Sequence, residues 1–310
     1  MQISLILLET ILKLFIILVM GFVLVKSGIL RAADSKCISA VLVYLVLPCT
    51  IIHAFQIDYT PAVQSGLLFA AAVSAAVHVI FIAGTRLIAG PLRLNVIEQL
   101  TVIYTNAGIL VIPVVTALLG PDYVIYSCGF VAVQLILLWT HCKHCLCAGE
   151  RISLKKILLN VNILSILAGL FLLFTHLQLP EVLNGTIEMM ADMVGPMGML
   201  LAGMLIAEAP LRQVFLSGRG YLVTFLRLIA FPAVLAVLFA VLHLSGFLAD
   251  GKNVLLTVYL ACITPACATL TSMAQMYQGD AAQASRLYVL TTVCSIVSMP
   301  LMIGLFEALI

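Results

Sequence analysis

Residues 99–119 read QLTVIYTNAGILVIPVVTALL, and residues 254–277 read VLLTVYLACITPACATLTSMAQMY. Each is an apolar run of about the 20 residues that cross a hydrocarbon core. Each also carries small or polar residues and a proline in its interior. Interior proline removes a helix hydrogen bond and clashes with the preceding turn, so it marks a break. Thr264-Pro265 is a good N-cap and first-turn pair for a second half-helix. Asn106 has both donors and acceptors, and Gly108 permits unwinding or close approach before Pro113. Two such breaks predict a pocket inside the bilayer. N–H groups freed at a half-helix start point into it with the positive end of the helix dipole, a natural partner for a carboxylate. Taken singly, either break also reads as a kink with polar helix contacts.

The rest of the chain agrees with a membrane setting. Of 310 residues 64% are hydrophobic and 9% charged, with a mean hydropathy of +1.23. A soluble domain carries roughly 25% charged residues, so these charges are too few to cover a water-facing surface. A net charge of +2 without a long basic run excludes nucleic-acid binding by a basic surface. The nine cysteines are odd in number and lie mostly in apolar stretches, which reads as buried thiols and not a disulfide framework. The N-terminal run is too long, and lacks the basic region, for a cleavable signal peptide.

Ten spans are expected, at 3–25, 37–55, 66–85, 99–119, 123–141, 157–177, 187–207, 221–244, 254–277 and 287–306. The runs are continuous, without the alternation of barrel strands. No connection is long enough for a soluble domain. With the N-terminus outside, the inner loops hold twelve basic residues: Lys26, Arg31, Lys36, Arg86, Arg93, Lys143, Arg151, Lys155, Lys156, Arg212, Arg219 and Arg286. The outer loops hold only Lys252. Positive loops stay in the cytoplasm, so both termini are expected outside a cell membrane.

Prolines suggest an internal repeat. Pro48 and Pro196, Pro61 and Pro210, and Pro113 and Pro265 recur at nearly one offset, close to half the chain. Two halves of five spans, 1–156 and 157–310, would enter the membrane from opposite sides. That is the inverted repeat of many secondary carriers.

Ionisable residues within spans are functional candidates by default. Glu9 and Lys13, four apart, neutralise each other. Asp192 suits either an outer-interface carboxylate or a group that takes H⁺ or Na⁺. Arg227 is satisfied equally by snorkelling inward or by holding a carboxylate, whether the substrate's or that of Asp280. No charge falls near the centre of either broken span, so the pocket is expected to lack a fixed cation. His141, Cys142, His144, Cys145 and Cys147 have the composition of a soft-metal site but no standard zinc spacing, and read first as a cytosolic juxtamembrane turn. His53, His78, His176 and His243 stand alone, as core or interface residues.

Several stretches together resemble the auxin efflux carrier family over essentially the whole chain. They are Gly21-Phe22-Val23-Leu24, Leu47-Pro48, Asn106-Ala107-Gly108-Ile109-Leu110-Val111-Ile112-Pro113, Gly195-Pro196-Met197, Arg227 with Pro232, and Pro265 with Gly279-Asp280. Val111 replaces the second glycine usual in that family's fourth helix, and span 9 has no asparagine near Pro265. The resemblance implies an architecture like that of sodium/proton antiporters. Spans 1, 2, 6 and 7 would be a scaffold and spans 3–5 with 8–10 a mobile domain, in a homodimer. It implies organic carboxylate substrates such as malate or malonate.

The expected function is secondary transport of a small organic anion by alternating access where spans 4 and 9 cross. Asn106, Gly108, Thr264, Thr269 and Gln275 would be at the site, and Pro113 and Pro265 would shape the crossing. H⁺ or Na⁺ is the candidate coupling ion, and no cofactor is expected. An enzyme is disfavoured because no His-Glu-x-x-His, Gly-x-Ser-x-Gly or paired intramembrane aspartates occur, and without a Walker-type loop ATP coupling is not expected. The rival reading is an anion channel or a non-translocating sensor of the same fold. Epitope tags at the two termini of intact cells should both be accessible to a membrane-impermeant antibody; a tag reached only after permeabilisation would reverse the orientation.

Overall fold

The computed structural model describes residues 2–147, 155 and 158–310. Arg151, Lys156 and the boundary expected at 156/157 lie outside the described residues. Within these the secondary structure is helical apart from one isolated antiparallel bridge, between Thr105 and Ala266.

Helices occupy all ten stretches read as spans. Six are long and apolar enough to cross a membrane: Ser35–Ala54 (span 2), Pro61–Leu92 (span 3), Pro121–Leu146 (span 5), Glu181–Glu208 (span 7), Gly218–Val241 (span 8) and Ala281–Leu309 (span 10). Span 1 is the helix Gln2–Lys26, and span 6 is the shorter apolar helix Val161–Thr175. Spans 4 and 9 are each split. Val96–Ile103 (4a) precedes Ala107–Leu119 (4b), and Gly251–Ile263 (9a) precedes Ala268–Met276 (9b). The whole is a multi-pass membrane protein.

Proline breaks helices here less often than its chemistry suggests. Before each of Pro48, Pro113 and Pro232 lies a five-residue π turn ending two residues upstream: Leu42–Val46, Ala107–Val111 and Leu226–Ala230. Widening the turn absorbs both the missing N–H and the ring clash, and the helix continues. Pro113 therefore sits within 4b and is not the break in span 4, contrary to expectation. That break lies at Tyr104–Asn106, about two turns earlier. A fourth π turn, Leu138–Cys142, has no proline. Its upstream carbonyl, that of Leu137, accepts the Tyr104 hydroxyl at 3.0 Å instead.

Spans 1 and 7 pack along each other, and spans 6 and 7 pack on span 2. The first of these contacts is a close backbone approach. A Cβ on Gly203 would collide with the carbonyl of Leu18, and one on Gly21 with that of Leu200. Two sites of mutual glycine contact let helices pack where lipid offers no hydrophobic drive toward association. Spans 3, 5 and 9a form a second contact group, joined by spans 8 and 10.

Polar clamps secure the ends of this second group. Asn95 and Glu98 form a capping box at the start of 4a. Buried Glu98 also receives Arg219 Nε and Nη2, both at 2.8 Å, and Arg219 Nη1 donates to the Leu92 carbonyl at 2.7 Å. At the opposite end the Tyr123 hydroxyl donates to Asp250 Oδ2 at 2.5 Å, joining span 5 to 9a. Glu9 and Lys13 pair at 2.7 Å, as expected.

Gly203→Leu would have to separate spans 1 and 7, so it should destabilise the protein by about 1–3 kcal/mol or more. A thermal melt in detergent checks this; an unchanged melting temperature would mean the two helices part freely.

Candidate functional site

The breaks in spans 4 and 9 meet. Asn106 N–H donates to the Pro265 carbonyl at 2.9 Å, and Cys267 N–H donates to the Tyr104 carbonyl at 3.1 Å. These bonds flank the bridge between Thr105 and Ala266, so two extended segments cross antiparallel between four half-helices. In span 9 the cause is local. The residue before proline is pushed out of the helical region, and Thr264 is extended at φ −69, ψ 159. The next half-helix starts at Ala268, three residues beyond the expected N-cap–proline start, because Thr264–Cys267 remain extended to pair with span 4.

Span 4 has no proline at its break. Gln134 of span 5 holds it open instead. Its Oε1 accepts from both the N–H and the hydroxyl of Thr105 at 3.0 Å, and its Nε2 donates to the Thr105 carbonyl at 2.8 Å. Thr291 of span 10 does similar work for span 9, its hydroxyl accepting from Ala266 N–H at 3.1 Å. Sequence reasoning missed both. Their only signal is a polar residue in the interior of an apolar span.

Arg227 takes neither of the roles expected for it. It is fully buried and neither snorkels nor reaches Asp280, whose carboxylate caps its own helix by accepting from Gln283 N–H at 2.8 Å. Its Nη1 donates to the Val102 carbonyl at 3.3 Å, and its Nη2 to those of Cys262 and Thr264 at 2.8 and 2.9 Å. These carbonyls end 4a and 9a. Each helix C-terminus carries about half a negative charge, so two meeting ends match roughly one guanidinium. The Phe81 ring lies 5.6 Å away and completes the enclosure.

One cavity lies beside the crossing, between spans 1 and 7 on one side and 4, 9 and 10 on the other. Asn106 and Pro265 line it, with Thr292 and Ser295 of span 10 and apolar residues such as Leu14 and Met199. Asn106 is 4% exposed, and its side-chain amide has no hydrogen-bond partner among the described residues. Ala107 and Gly108 N–H, first in 4b, are also without backbone partners. A Cβ on Gly108 would meet open space, so packing does not demand glycine there.

The other expected residues lie elsewhere. Thr264 is buried with its hydroxyl turned to the Ala261 carbonyl at 3.0 Å. Thr269 and Gln275 are exposed on 9b and do not line the cavity. Pro113 packs toward Gly195 of span 7. Asp192 is exposed where span 7 turns, at Asp192–Met193. In the histidine and cysteine stretch, His141 Nδ1 meets the Tyr104 hydroxyl at 2.9 Å and its Nε2 meets Cys145 Sγ at 3.6 Å. Among the described residues no three His, Cys, Asp or Glu side chains are grouped to hold a metal ion.

A family model described as "Membrane transport protein" matches residues 6–149 and 146–303, nearly the whole chain. The chain belongs to the auxin efflux carrier family of membrane transport proteins. No curated protein matches it. The paired half-helices thus belong to a membrane transporter.

Hydrogen bonds to a charged group contribute about 1.5–3 kcal/mol each, and Arg227 makes three. Arg227→Met should therefore destabilise the transporter by at least about 3 kcal/mol, with Arg227→Lys recovering part of the loss. Equal melting temperatures for wild type and Arg227→Met would contradict the role given to the guanidinium.

Proposed function

We propose that this transporter is a secondary carrier moving a small organic carboxylate by alternating access around the crossing of spans 4 and 9. The observation that carries the reading is Asn106: a side-chain amide 4% exposed, without a hydrogen-bond partner among the described residues, facing a cavity at the start of 4b. Burying an unpaired amide is costly unless something binds it. Asn106 stands at the positive end of a half-helix dipole, which favours an anion there. Anion binding there needs no fixed cation in the cavity wall.

The cavity's position supports a moving-domain mechanism. Spans 1 and 7 wall it on one side, and spans 4, 9 and 10 on the other. In this reading spans 1, 2, 6 and 7 are the scaffold. Spans 3–5 and 8–10 move as a unit, held by Glu98–Arg219 at one end and Tyr123–Asp250 at the other. We take the ten spans as two inverted halves of five, with both termini outside, and the carrier as a homodimer. Malate and malonate are the first substrates to try.

Arg227 bears on coupling. Carbonyls at half-helix C-termini are the groups that hold Na⁺ in many carriers. Here those of Val102, Cys262 and Thr264 are taken by the guanidinium, so a coupling ion would have to bind elsewhere.

In proteoliposomes, carboxylate uptake should saturate and show counterflow. Flux that never saturates would indicate a channel, and binding without flux a sensor. Asn106→Ala should weaken carboxylate affinity by about tenfold or more, the loss of one charge-assisted hydrogen bond, with an unchanged melt. Wild-type uptake in that variant would discard the site.

A further inference from the structure

We propose that the cavity beside the crossing selects a hydroxy-monocarboxylate with a short apolar body, and that Thr292 and Ser295 of span 10 read the hydroxyl. The inference rests on the carrier reading above and narrows its substrate.

It follows from counting hydrogens. Thr292 and Ser295 are one turn apart, 5% and 4% exposed, and both line the cavity. The Thr292 hydroxyl donates to the Tyr288 carbonyl at 2.7 Å, and the Ser295 hydroxyl to the Thr292 carbonyl at 2.7 Å. A hydroxyl has one hydrogen and two lone pairs. With both hydrogens committed to their own helix, these groups face the cavity as acceptors. An acceptor repels a carboxylate oxygen and calls for a donor, such as an alcohol O–H.

The donor in the wall lies on span 4: the Asn106 amide, at the start of 4b with the positive end of its dipole. It suits one carboxylate. Every other wall is apolar, including Leu14, Leu18, Leu110 and Met299. A second carboxylate would lose its hydration against those side chains with no donor in return. The buried cation nearby does not help, since Arg227 does not line the cavity and three of its hydrogen bonds go to carbonyls. The walls therefore describe a ligand with one charged end, one donor and some hydrocarbon. That differs from the dicarboxylates the family resemblance suggests.

The test is competition by butyrate, 3-hydroxybutyrate, malate and malonate, read by counterflow and by thermal shift. It uses the wild type and the double variant Thr292→Val, Ser295→Ala. Neither substitution removes a tertiary hydrogen bond, because both hydroxyls bond only within span 10, and Thr291 is retained. A melt of the unliganded variant checks its fold. The wild type should favour 3-hydroxybutyrate over butyrate by about five- to tenfold, and either over malate. The double variant should lose the preference for the hydroxyl while keeping butyrate affinity. Malate or malonate favoured over both monocarboxylates would overturn the inference and leave the carrier standing. So would a hydroxyl preference that survives in the double variant. If no carboxylate shifts the melt or exchanges, the inference and the reading beneath it fall together.

Discussion

A peptide group without a partner is expensive inside a bilayer, because no water is at hand to satisfy it. Spans 4 and 9 expose such groups by breaking within the membrane. Much of the surrounding structure answers that demand. The two breaks supply each other with the hydrogen bonds of Asn106 to Pro265 and Cys267 to Tyr104. Gln134 serves Thr105, and Thr291 serves Ala266. Arg227 takes the carbonyls at the ends of 4a and 9a. The Asn106 side chain is left to the cavity.

This distribution has a functional logic. Donors satisfied by protein fix the shape of the crossing, and in the proposed mechanism the Asn106 amide is left for cargo. Gln134, Thr291 and Arg227 belong to spans 5, 10 and 8 and bind backbone, so they tie the crossing rigidly to its neighbours. The Asn106 side chain has no hydrogen-bond partner among the described residues and faces apolar walls from spans 1 and 7. In the proposed mechanism the cavity opens to either side as the two helix groups slide, without disturbing the hydrogen bonds that hold the crossing together.

π turns recur in the spans that build this region. Those before Pro48, Pro113 and Pro232 convert expected breaks into continuous helices. The turn before Pro232 contains Arg227 itself, and the Pro113 turn is the first turn of 4b. Proline thus has opposite outcomes in this protein. At Pro265 it keeps Thr264 extended, and at Pro113 a wider turn tolerates it. Pairing across the crossing separates the two cases, since Pro265 lies in the bridged segment and Pro113 does not.

Apolar run length and charge placement are local quantities, and they sufficed to read a polytopic helical membrane protein with interruptions in its fourth and ninth spans. Pro265 was legible because its effect on Thr264 is covalent and adjacent. Asn106 stood out as an amide in an apolar run. The partners of the crossing were not legible in the same way. Gln134 lies 29 residues from Thr105, Thr291 lies 25 from Ala266, and Arg227 lies 125 from Val102. Neither spacing nor composition reports such pairings, because a polar side chain in an apolar helix looks alike whether it faces lipid, cavity or backbone. Helix rotation and packing decide which it meets. They turned Thr264 back onto its own helix, set Thr269 and Gln275 outside the cavity, and brought Thr292 and Ser295 to its wall.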